Sequence, residues 1–267
     1  MNSLVLAPFS TDGLTVLGEL GRVAYEPWTD TQTLHDPEVL GRRLASDEIE
    51  VLIVEADFLF EELFESPSPL RFAAMCRAAL NQVDLGSATE AGVVVVHTPG
   101  RNARAVAELV LADMLALARM LPQAERYVRE GRWEEPAEPY VRFRGRELGG
   151  ATLGVIGLGE IGRQVGLLAN GVGMRVLAYD PYVKSDAGGK LKIELTSLEW
   201  LLAESDFVSV HVPETDQTTG MLGPSELRLM KHTAYLVNVT SPAVVSQEAL
   251  AAAVREGTLA GAALDVH

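Results

Sequence analysis

A glycine-rich motif between two apolar runs constrains the fold of this chain more than any other feature of its sequence. Gly157, Gly159 and Gly162 follow the apolar run 153–156 with the spacing G-x-G-x-x-G, and a helical pattern follows them. A second apolar run, 174–179, ends this stretch. A strand, a glycine-rich turn, a helix and a second strand in this order are typical of a βαβ unit that binds a dinucleotide.

Each glycine of the motif has its own physical reason. Gly157 permits a tight turn, Gly159 lets a pyrophosphate approach the backbone, and Gly162 lets the helix pack close against its strand. The helix is predicted to begin near Glu160, so its free N–H groups and the positive end of its dipole would face the phosphates. Such a motif also occurs in turns that bind nothing, but here the strand, the helix and an acidic strand end fall in register.

That acidic strand end indicates which dinucleotide is bound. Asp180 lies about 20 residues beyond the motif, where a carboxylate can accept hydrogen bonds from an adenosine ribose. A 2′-phosphate there would face a like charge, and no arginine follows immediately. The sequence therefore favours NAD over NADP as the cofactor.

Composition excludes several other classes of protein. With 267 residues, 48% of them hydrophobic, the chain can form one large or two medium domains with proper cores. A net charge of −15 argues against unselective binding to nucleic acid or to an anionic membrane. The single cysteine, Cys76, excludes an intramolecular disulfide and is predicted to be a small hydrophobe, not a nucleophile. We find no His, Asp or Glu cluster with metal-ligand spacing.

The sequence shows no targeting or membrane-spanning pattern. The N-terminus lacks a basic region before its apolar residues, and no uncharged stretch reaches the roughly 18 residues of a spanning helix. The most apolar stretch, 106–121, is interrupted by Glu108, Asp113 and Arg119. We therefore expect a cytoplasmic protein.

Elsewhere short apolar runs alternate with helical patterns. Strands are predicted at 4–7, 51–54, 72–75 and 93–96 before the motif, and at 207–212, 234–239 and 262–266 after it. This alternation indicates an α/β fold with parallel sheets covered on both faces. A turn signal at 98–100 suggests a first domain at 1–97 and a second at 98–267.

The segment after this border has two parts. Residues 102–121 are apolar nearly all round, which predicts a long helix buried between domains or subunits. Residues 123–150 are charged and contain two prolines. They suit an arm that wraps a partner subunit, and a floppy connection fits them equally well.

Several blocks of the sequence resemble the D-isomer-specific 2-hydroxyacid dehydrogenases. The blocks are GLGEIGRQVG, YDP, HVPET, LVNVT and LAGAALDV, preceded by GRNARAVAELVLADMLALARML, while NQVDL at 81–85 favours the phosphoglycerate dehydrogenase branch. The resemblance implies a Rossmann-type doubly wound parallel sheet, plus a smaller flavodoxin-like α/β domain at 1–97 that binds the substrate. It also implies an active site in the cleft between them, and a homodimer joined through the long helix and the arm.

The implied chemistry is hydride transfer between NAD and C2 of a 2-hydroxy or 2-oxo acid. By position, the resemblance assigns the cofactor contacts to Gly157, Gly159, Glu160, Ile161, Asp180, Pro181, His211, Val212, Pro213, Thr218, Asn238, Val239, Thr240 and Asp265. The last four would meet the nicotinamide end. The substrate would meet a loop at Ala78 and Ala79, where Ala79 stands at a glycine position of the family.

The chain departs from the family at its catalytic positions. Ser241 stands where the family has an arginine that holds the substrate, and a hydroxyl provides no charged bidentate clamp. The loss costs on the order of a hundredfold in rate. The family's histidine and its acidic partner would lie beyond His267, so we expect the closing segment of the fold there too. His267 itself stands where the family often has a large apolar residue, and we do not predict it to be catalytic.

The remaining charged candidates have ordinary alternatives. His35 and His232 are predicted to lie on the surface, and His211 to line the cofactor and not to catalyse. Arg77 either supplies a charge to the substrate loop or is exposed to solvent, and His97 either reaches the cleft or does not.

Three interpretations follow. In the first, the protein is an NAD-dependent oxidoreductase of this family, and the chain as given lacks the C-terminal catalytic segment and is expected to be inactive. In the second, it is a non-catalytic NAD-binding sensor or scaffold in which Ser241 marks a true loss of the arginine. In a third, Arg77 and His97 have taken over catalysis.

Overall fold

The computed structural model describes residues 1–132, 137–183 and 191–266, and it contains two compact units. The first unit is Met1–Arg101 and the second is Asn102–His267. Residues 98–101 thus group with the first unit, whereas we expected the border after residue 97. The prediction for His267 lies outside the described residues.

The first unit is a parallel five-stranded sheet with helices between its strands. The strands are β1 (Ser3–Val5), β2 (Val23–Tyr25), β3 (Val51–Val54), β4 (Phe72–Met75) and β5 (Val94–His97), in the order β2-β1-β3-β4-β5. The helices are α1 (Thr11–Leu20), α2 (Trp28–Thr31), α3 (Pro37–Ser46), α4 (Glu61–Glu65) and α5 (Leu85–Glu90). This strand order is that of the flavodoxin-like doubly wound fold, as predicted.

Local sequence explains why these elements form. All four residues of β3 are buried, which is what a strand covered on both faces requires. Helix α3 begins at the N-cap Asp36, whose carboxylate accepts from the Val39 N–H group, and it buries Leu40 and Leu44. Val39 on the same helix is 50% exposed, so the buried face is narrow.

The second unit is a parallel six-stranded sheet with the order β11-β10-β9-β6-β7-β8. The strands are β6 (Thr152–Ile156), β7 (Arg175–Tyr179), β8 (Glu194–Leu195), β9 (Phe207–Val210), β10 (Tyr235–Asn238) and β11 (Gly261–Leu264). The helices are α6 (Ala103–Ala118), α7 (Leu121–Arg129), α8 (Ala137–Arg142), α9 (Glu160–Gly171), α10 (Leu198–Glu204), α11 (Pro224–Leu229) and α12 (Gln247–Arg255), with a 3-10 helix at Pro242–Val244. This strand order is that of the Rossmann fold, which confirms the predicted fold class.

The core of the second unit lies on both faces of its sheet. Phe207 packs with α6 and α9 on one face, whereas Val208 and Val210 pack with α10, α11 and α12 on the other. Because successive residues of a strand point to opposite faces, β9 is buried on both faces, and all four of its residues, including Ser209, are buried.

The long helix is shorter than predicted. Helix α6 ends at Ala118, and Met120 has the left-handed φ of 51°, so the chain turns before Pro122 enters the first turn of α7. The helix buries a stripe on the sheet side, including Val110 and Met114. The expectation of a single helix over 102–121 is therefore wrong at its end.

The described part of the segment 123–150 is largely helical. Tyr127 of α7 is buried, its hydroxyl donates to Glu138 at 2.9 Å, and its ring meets Phe143 edge-on. The guanidinium groups of Arg132 and Arg142 each lie 5.7 Å from the centre of the Tyr127 ring. These contacts favour a folded arm over a floppy connection.

Two absences hold for the described residues. None of their helices combines the length and the apolar character needed to cross a membrane. Among the same residues, His, Cys, Asp and Glu side chains form no group of three or more that could hold a metal ion.

Candidate functional site

The glycine-rich turn connects β6 to α9 at the middle of the second sheet. Gly157 has a φ of +93°, and a side chain there would meet the backbone of His211 and the side chain of Val212 at 2.9 Å. Its N–H group donates to the Tyr179 carbonyl at 2.8 Å. Both the left-handed backbone and the close neighbour require glycine at this position.

The other two glycines differ from each other in surroundings. A Cβ atom on Gly162 would lie 2.0 Å from the Gly157 carbonyl oxygen, so α9 packs directly against the turn. A Cβ atom on Gly159 would meet no heavy atom of the described structure within 4 Å. Gly162 is therefore needed for packing, whereas Gly159 borders open space.

Helix α9 points its N-terminus at that open space. Its N-cap is Gly159, which has no side chain to cap the first turn, and Glu160 and Ile161 begin the helix. The first N–H groups of a helix have no partner inside the helix, and its dipole makes this end positive. An anion of the size of a pyrophosphate is the ligand that such an end prefers.

Asp180 is fixed beside the same turn. One carboxylate oxygen accepts from the Leu158 N–H group at 2.8 Å, and the other accepts from the Tyr182 N–H group at 2.9 Å. The Leu158 amide is thus already used, while each oxygen of Asp180 keeps a lone pair for a further donor. The carboxylate is therefore held in place beside the turn with acceptor sites still free. Its neighbour Pro181 is exposed.

A compact loop follows β9 on the other side of the turn. The His211 N–H group donates to the Ile156 carbonyl at 2.7 Å, which joins this loop to β6. Farther along, the Thr218 hydroxyl donates to the Pro213 carbonyl at 2.6 Å and accepts from the Thr215 N–H group at 2.8 Å. These bonds close the loop on itself.

The side chain of His211 is directed into the protein. Its Nε2 atom lies 2.8 Å from the Ser209 hydroxyl, and its Nδ1 atom is buried without a partner among the described residues. Burial lowers the pKa of His211 to about 3. The ring is therefore neutral at physiological pH and is not exposed as an acid or a base.

The loop after β10 is organised by a buried asparagine. The Oδ1 atom of Asn238 accepts from the N–H and hydroxyl groups of Thr240 at 3.1 and 3.0 Å, and its Nδ2 group donates to the Ser241 carbonyl at 3.2 Å. The Ser241 hydroxyl accepts from the Ala243 N–H group at 3.2 Å and donates to the carboxylate of Glu214. The Ser241 hydroxyl therefore already donates its only proton and has none left for a ligand. Glu214 was missed in the sequence, although it lies within the HVPET block.

Two acids meet near the end of β11. The Asp265 N–H group donates to the Asn238 carbonyl at 3.1 Å, which fixes Asp265 beside β10. Burial, and then the charge of Asp265, raise the pKa of Asp113 on α6. Asp113 was also missed, because an acid in an apolar helix reads as an interruption of the pattern.

Comparison with known proteins places the chain in a family. The family model described as "D-isomer specific 2-hydroxyacid dehydrogenase, NAD binding domain" matches residues 111–267. The chain belongs to the D-isomer specific 2-hydroxyacid dehydrogenase family. It is 34% identical over 268 residues to YoaD of Bacillus subtilis (strain 168), named as a 2-hydroxyacid dehydrogenase, covering all of this chain and 77% of that protein.

Two further matches agree with this membership. A glyoxylate reductase of Korarchaeum cryptofilum is 43% identical over 77% of this chain and 61% of its own length. The solved structure of an acyclic imino acid reductase in complex with NADPH and D-Arg matches all of this chain and 83% of that one, with a TM-score of 0.83 and 26% identity. The chain thus spans between about three fifths and four fifths of these proteins.

The loop that the sequence predicts to meet the substrate follows β4 in the first unit. The Arg77 guanidinium donates to Gln82 at 2.6 Å, and the Gln82 amide donates to the Ala56 carbonyl at 2.9 Å. The Nδ1 atom of His97 donates to the Ala78 carbonyl at 2.8 Å. Arg77, Ala78, Ala79 and His97 are all exposed. The loop is therefore fixed by side chains.

Two further residues of the first unit were singled out in the sequence. His35 is not on the surface as predicted: its side chain is 19% exposed, and its Nδ1 atom donates to the fully buried Asp57 at 3.0 Å. Cys76 is half-buried, and burial raises the pKa of its thiol, which keeps it protonated and unreactive. Exposed His232 agrees with its prediction.

Proposed function

We propose that the second unit binds NAD across the carboxyl edge of its sheet, and that the protein transfers a hydride between this cofactor and C2 of a 2-hydroxy or 2-oxo acid. The observation that carries the proposal is Asp180, fixed to the Leu158 amide beside the open space at Gly159. N–H donors for a pyrophosphate and a carboxylate acceptor for a ribose thus lie side by side, as a dinucleotide requires.

The residues present fit this cofactor. The uncapped first turn of α9, at Glu160 and Ile161, receives the pyrophosphate, and Asp180 accepts from the adenosine ribose. The loops after β9 and β10, at His211–Pro213 and Asn238–Thr240, line the nicotinamide half, with Thr218 closing the first of them. Asp265, held against β10, accepts from the carboxamide. When bound, the nicotinamide supplies or accepts the hydride.

The preference for NAD over NADP rests on charge. The Asp180 carboxylate would repel a 2′-phosphate at the ribose that it binds. The solved imino acid reductase holds NADPH, so the preference of this chain rests on its own acid at the ribose position. The chain should accordingly bind NADH more tightly than NADPH.

The first unit, which includes the predicted domain 1–97, is proposed to bind the substrate through the loop at Ala78 and Ala79. Relatives named glyoxylate reductase and D-3-phosphoglycerate dehydrogenase favour a small 2-oxo or 2-hydroxy acid. We further propose a homodimer formed through α6, since Leu109 and Leu115 on that helix are 39% and 40% exposed.

Fluorescence titration with NADH tests the cofactor site. We expect saturable binding, which Asp180→Ala weakens at least about tenfold, an effect typical of a charged hydrogen bond. Asp180→Asn retains one acceptor, so its affinity for NADH should lie between those of the native protein and of Asp180→Ala. Glu194→Ala removes an exposed acid from β8 of the same sheet and should leave the affinity for NADH unchanged. Equal affinity in the wild type and in Asp180→Ala would remove Asp180 from the ribose site.

Turnover of 2-oxo acids tests the role of position 241. Ser241 provides no cation, so we expect the whole protein with its native serine to reduce 2-oxo acids with NADH only slowly. In the whole protein, Ser241→Arg should raise kcat/KM by about a hundredfold if the missing charge limits the rate. Ser241→Gln, which adds length without charge, is the control. Rapid turnover by the native protein would show that another group supplies the charge.

A further inference from the structure

The strand order fixes which loops the nicotinamide half must meet, if the proposed dinucleotide site is correct. Strand β6 lies in the middle of the second sheet, with β7 on one side and β9 and then β10 on the other. Asp180 follows β7, so the adenosine half extends towards that side. The nicotinamide half then lies over the ends of β9 and β10, where Glu214 and Ser241 are hydrogen-bonded to each other.

Charge is distributed unevenly between these two sides. The Arg163 guanidinium lies at the glycine-rich turn, where its Nε donates to the Leu158 carbonyl at 3.1 Å. The segments that follow β9, β10 and β11 contain no lysine or arginine at 211–220, 238–248 or 261–267, and their acids include Glu214 and Asp265. These loops therefore contain no cation of their own to offset the charge of Glu214.

Ser241 determines where the charge of Glu214 lies. The Ser241 hydroxyl accepts from the Ala243 N–H group, so its orientation is set by the backbone, and it donates its proton to Glu214. An exposed glutamate on a loop would otherwise sample many positions. The hydrogen bond holds this carboxylate across the gap between the ends of β9 and β10.

We propose that Glu214, held by Ser241, makes the chain bind NAD⁺ in preference to NADH. The oxidised nicotinamide ring carries one positive charge and the reduced ring carries none, while the rest of the cofactor is unchanged. A carboxylate a few ångströms from the ring therefore favours the oxidised form alone. In the partly solvated edge of a sheet, this effect amounts to about tenfold in affinity.

The preference decides which cofactor form the protein carries, and thus which half of the reaction it is ready to perform. With both forms present, the protein carries the oxidised cofactor, which is the form that accepts a hydride from a 2-hydroxy acid. In that direction the C2–H bond breaks, its electron pair and hydrogen pass to NAD⁺, and the hydroxyl proton passes to water. The products are a 2-oxo acid and NADH.

Calorimetric titration with NAD⁺ and with NADH tests the proposal without any turnover. The quantity is the ratio of the NADH Kd to the NAD⁺ Kd, measured at low ionic strength because salt screens the effect. We expect a ratio above one in the native protein. Glu214→Gln, which still accepts from Ser241, should lower it at least about fivefold, and Ser241→Ala should lower it less.

Asp216→Asn is the matched control, since it removes one charge from an exposed residue of the same loop. It should change the ratio less than about twofold. An unchanged ratio in Glu214→Gln, or an equal change in Asp216→Asn, would overturn the inference while the dinucleotide site stands. Failure of the native protein to bind either form would instead overturn the proposed function, and this inference with it.

Discussion

The two sides of the glycine-rich turn in the second unit are built differently. The side towards β7 consists of backbone amides, glycines and one aspartate, all within the stretch 152–181. The side towards β9 and β10 joins residues that are distant in sequence, such as Glu214 and Ser241, and it carries no cation in its loops. In the proposed function the first side receives the pyrophosphate and the adenosine ribose, whereas the second must suit a particular reaction. The residue pattern that resembles the family is kept on the side towards β7. On the side towards β9 and β10 it is altered, because Ser241 stands where the family has an arginine.

The largest expected effect is a loss of stability caused by a substitution in the glycine-rich turn and its helix. Gly162→Ala should destabilise the second unit by about 3 kcal/mol, because the new methyl group would lie 2.0 Å from the Gly157 carbonyl oxygen. Gly157 cannot move away easily, since its N–H group is bonded to Tyr179. Thermal unfolding followed by circular dichroism measures the loss.

Gly171→Ala is the control for this substitution. It lies at the end of the same helix, a Cβ atom there would meet nothing within 4 Å, and alanine is the better helix former. Its melting temperature should equal or exceed that of the native protein. If both variants melted like the native protein, the close approach of α9 to the turn would be contradicted.

Sequence predicted the buried parallel strands of both units well and the exposed elements poorly. Strand β3 was predicted without error, because a strand covered on both faces is a continuous apolar run. Helix α1 buries no residue fully, and β2 is a three-residue edge strand without a buried position, so neither gives a clear periodic signal. The break after α6 was missed because Met120, which adopts a left-handed backbone there, is not a typical turn residue.

The same division holds for the candidate site. The turn and Asp180 could be read from local spacing, since both belong to one βαβ unit. The Ser241–Glu214 bond, the proximity of Asp113 to Asp265 and the His35–Asp57 pair could not, because each joins separate strands or helices. Residue identity at these positions was visible, but the partners are set by the sheet order.

The free energy of unfolding should depend on pH through His211, which lies in the loop after β9 on the second side. His211 is neutral when folded, with a pKa of about 3, whereas an unfolded histidine has a pKa of about 6.5. The unfolded state therefore binds the extra proton, and stability falls as pH drops below 6.5, by up to about 1.4 kcal/mol per pH unit. At pH 5 the loss amounts to about 2 kcal/mol relative to pH 7.5.

His211→Gln should remove this part of the pH dependence. Urea unfolding at pH 7.5 and pH 5 measures it, with His232→Gln as the control, because His232 is exposed. The control should retain the full difference between the two pH values. A native-like loss of stability in His211→Gln would show that other groups cause the acid sensitivity.

The smallest expected change in stability separates binding from folding on the first side. Gly159→Ala should leave the melting temperature unchanged, because the backbone at Gly159 has an ordinary φ of −72° and its Cβ atom would meet no neighbour within 4 Å. The affinity for NAD⁺ and NADH should nevertheless fall about fivefold to tenfold, since the methyl group occupies the space that the pyrophosphate needs. The affinity should fall by the same factor for NAD⁺ and for NADH, because the pyrophosphate is the same in each. Gly162→Ala is thus expected to lower stability, whereas Gly159→Ala is expected to lower only the affinity for the cofactor. Native affinity in Gly159→Ala would mean that the phosphates bind elsewhere on the edge of the sheet.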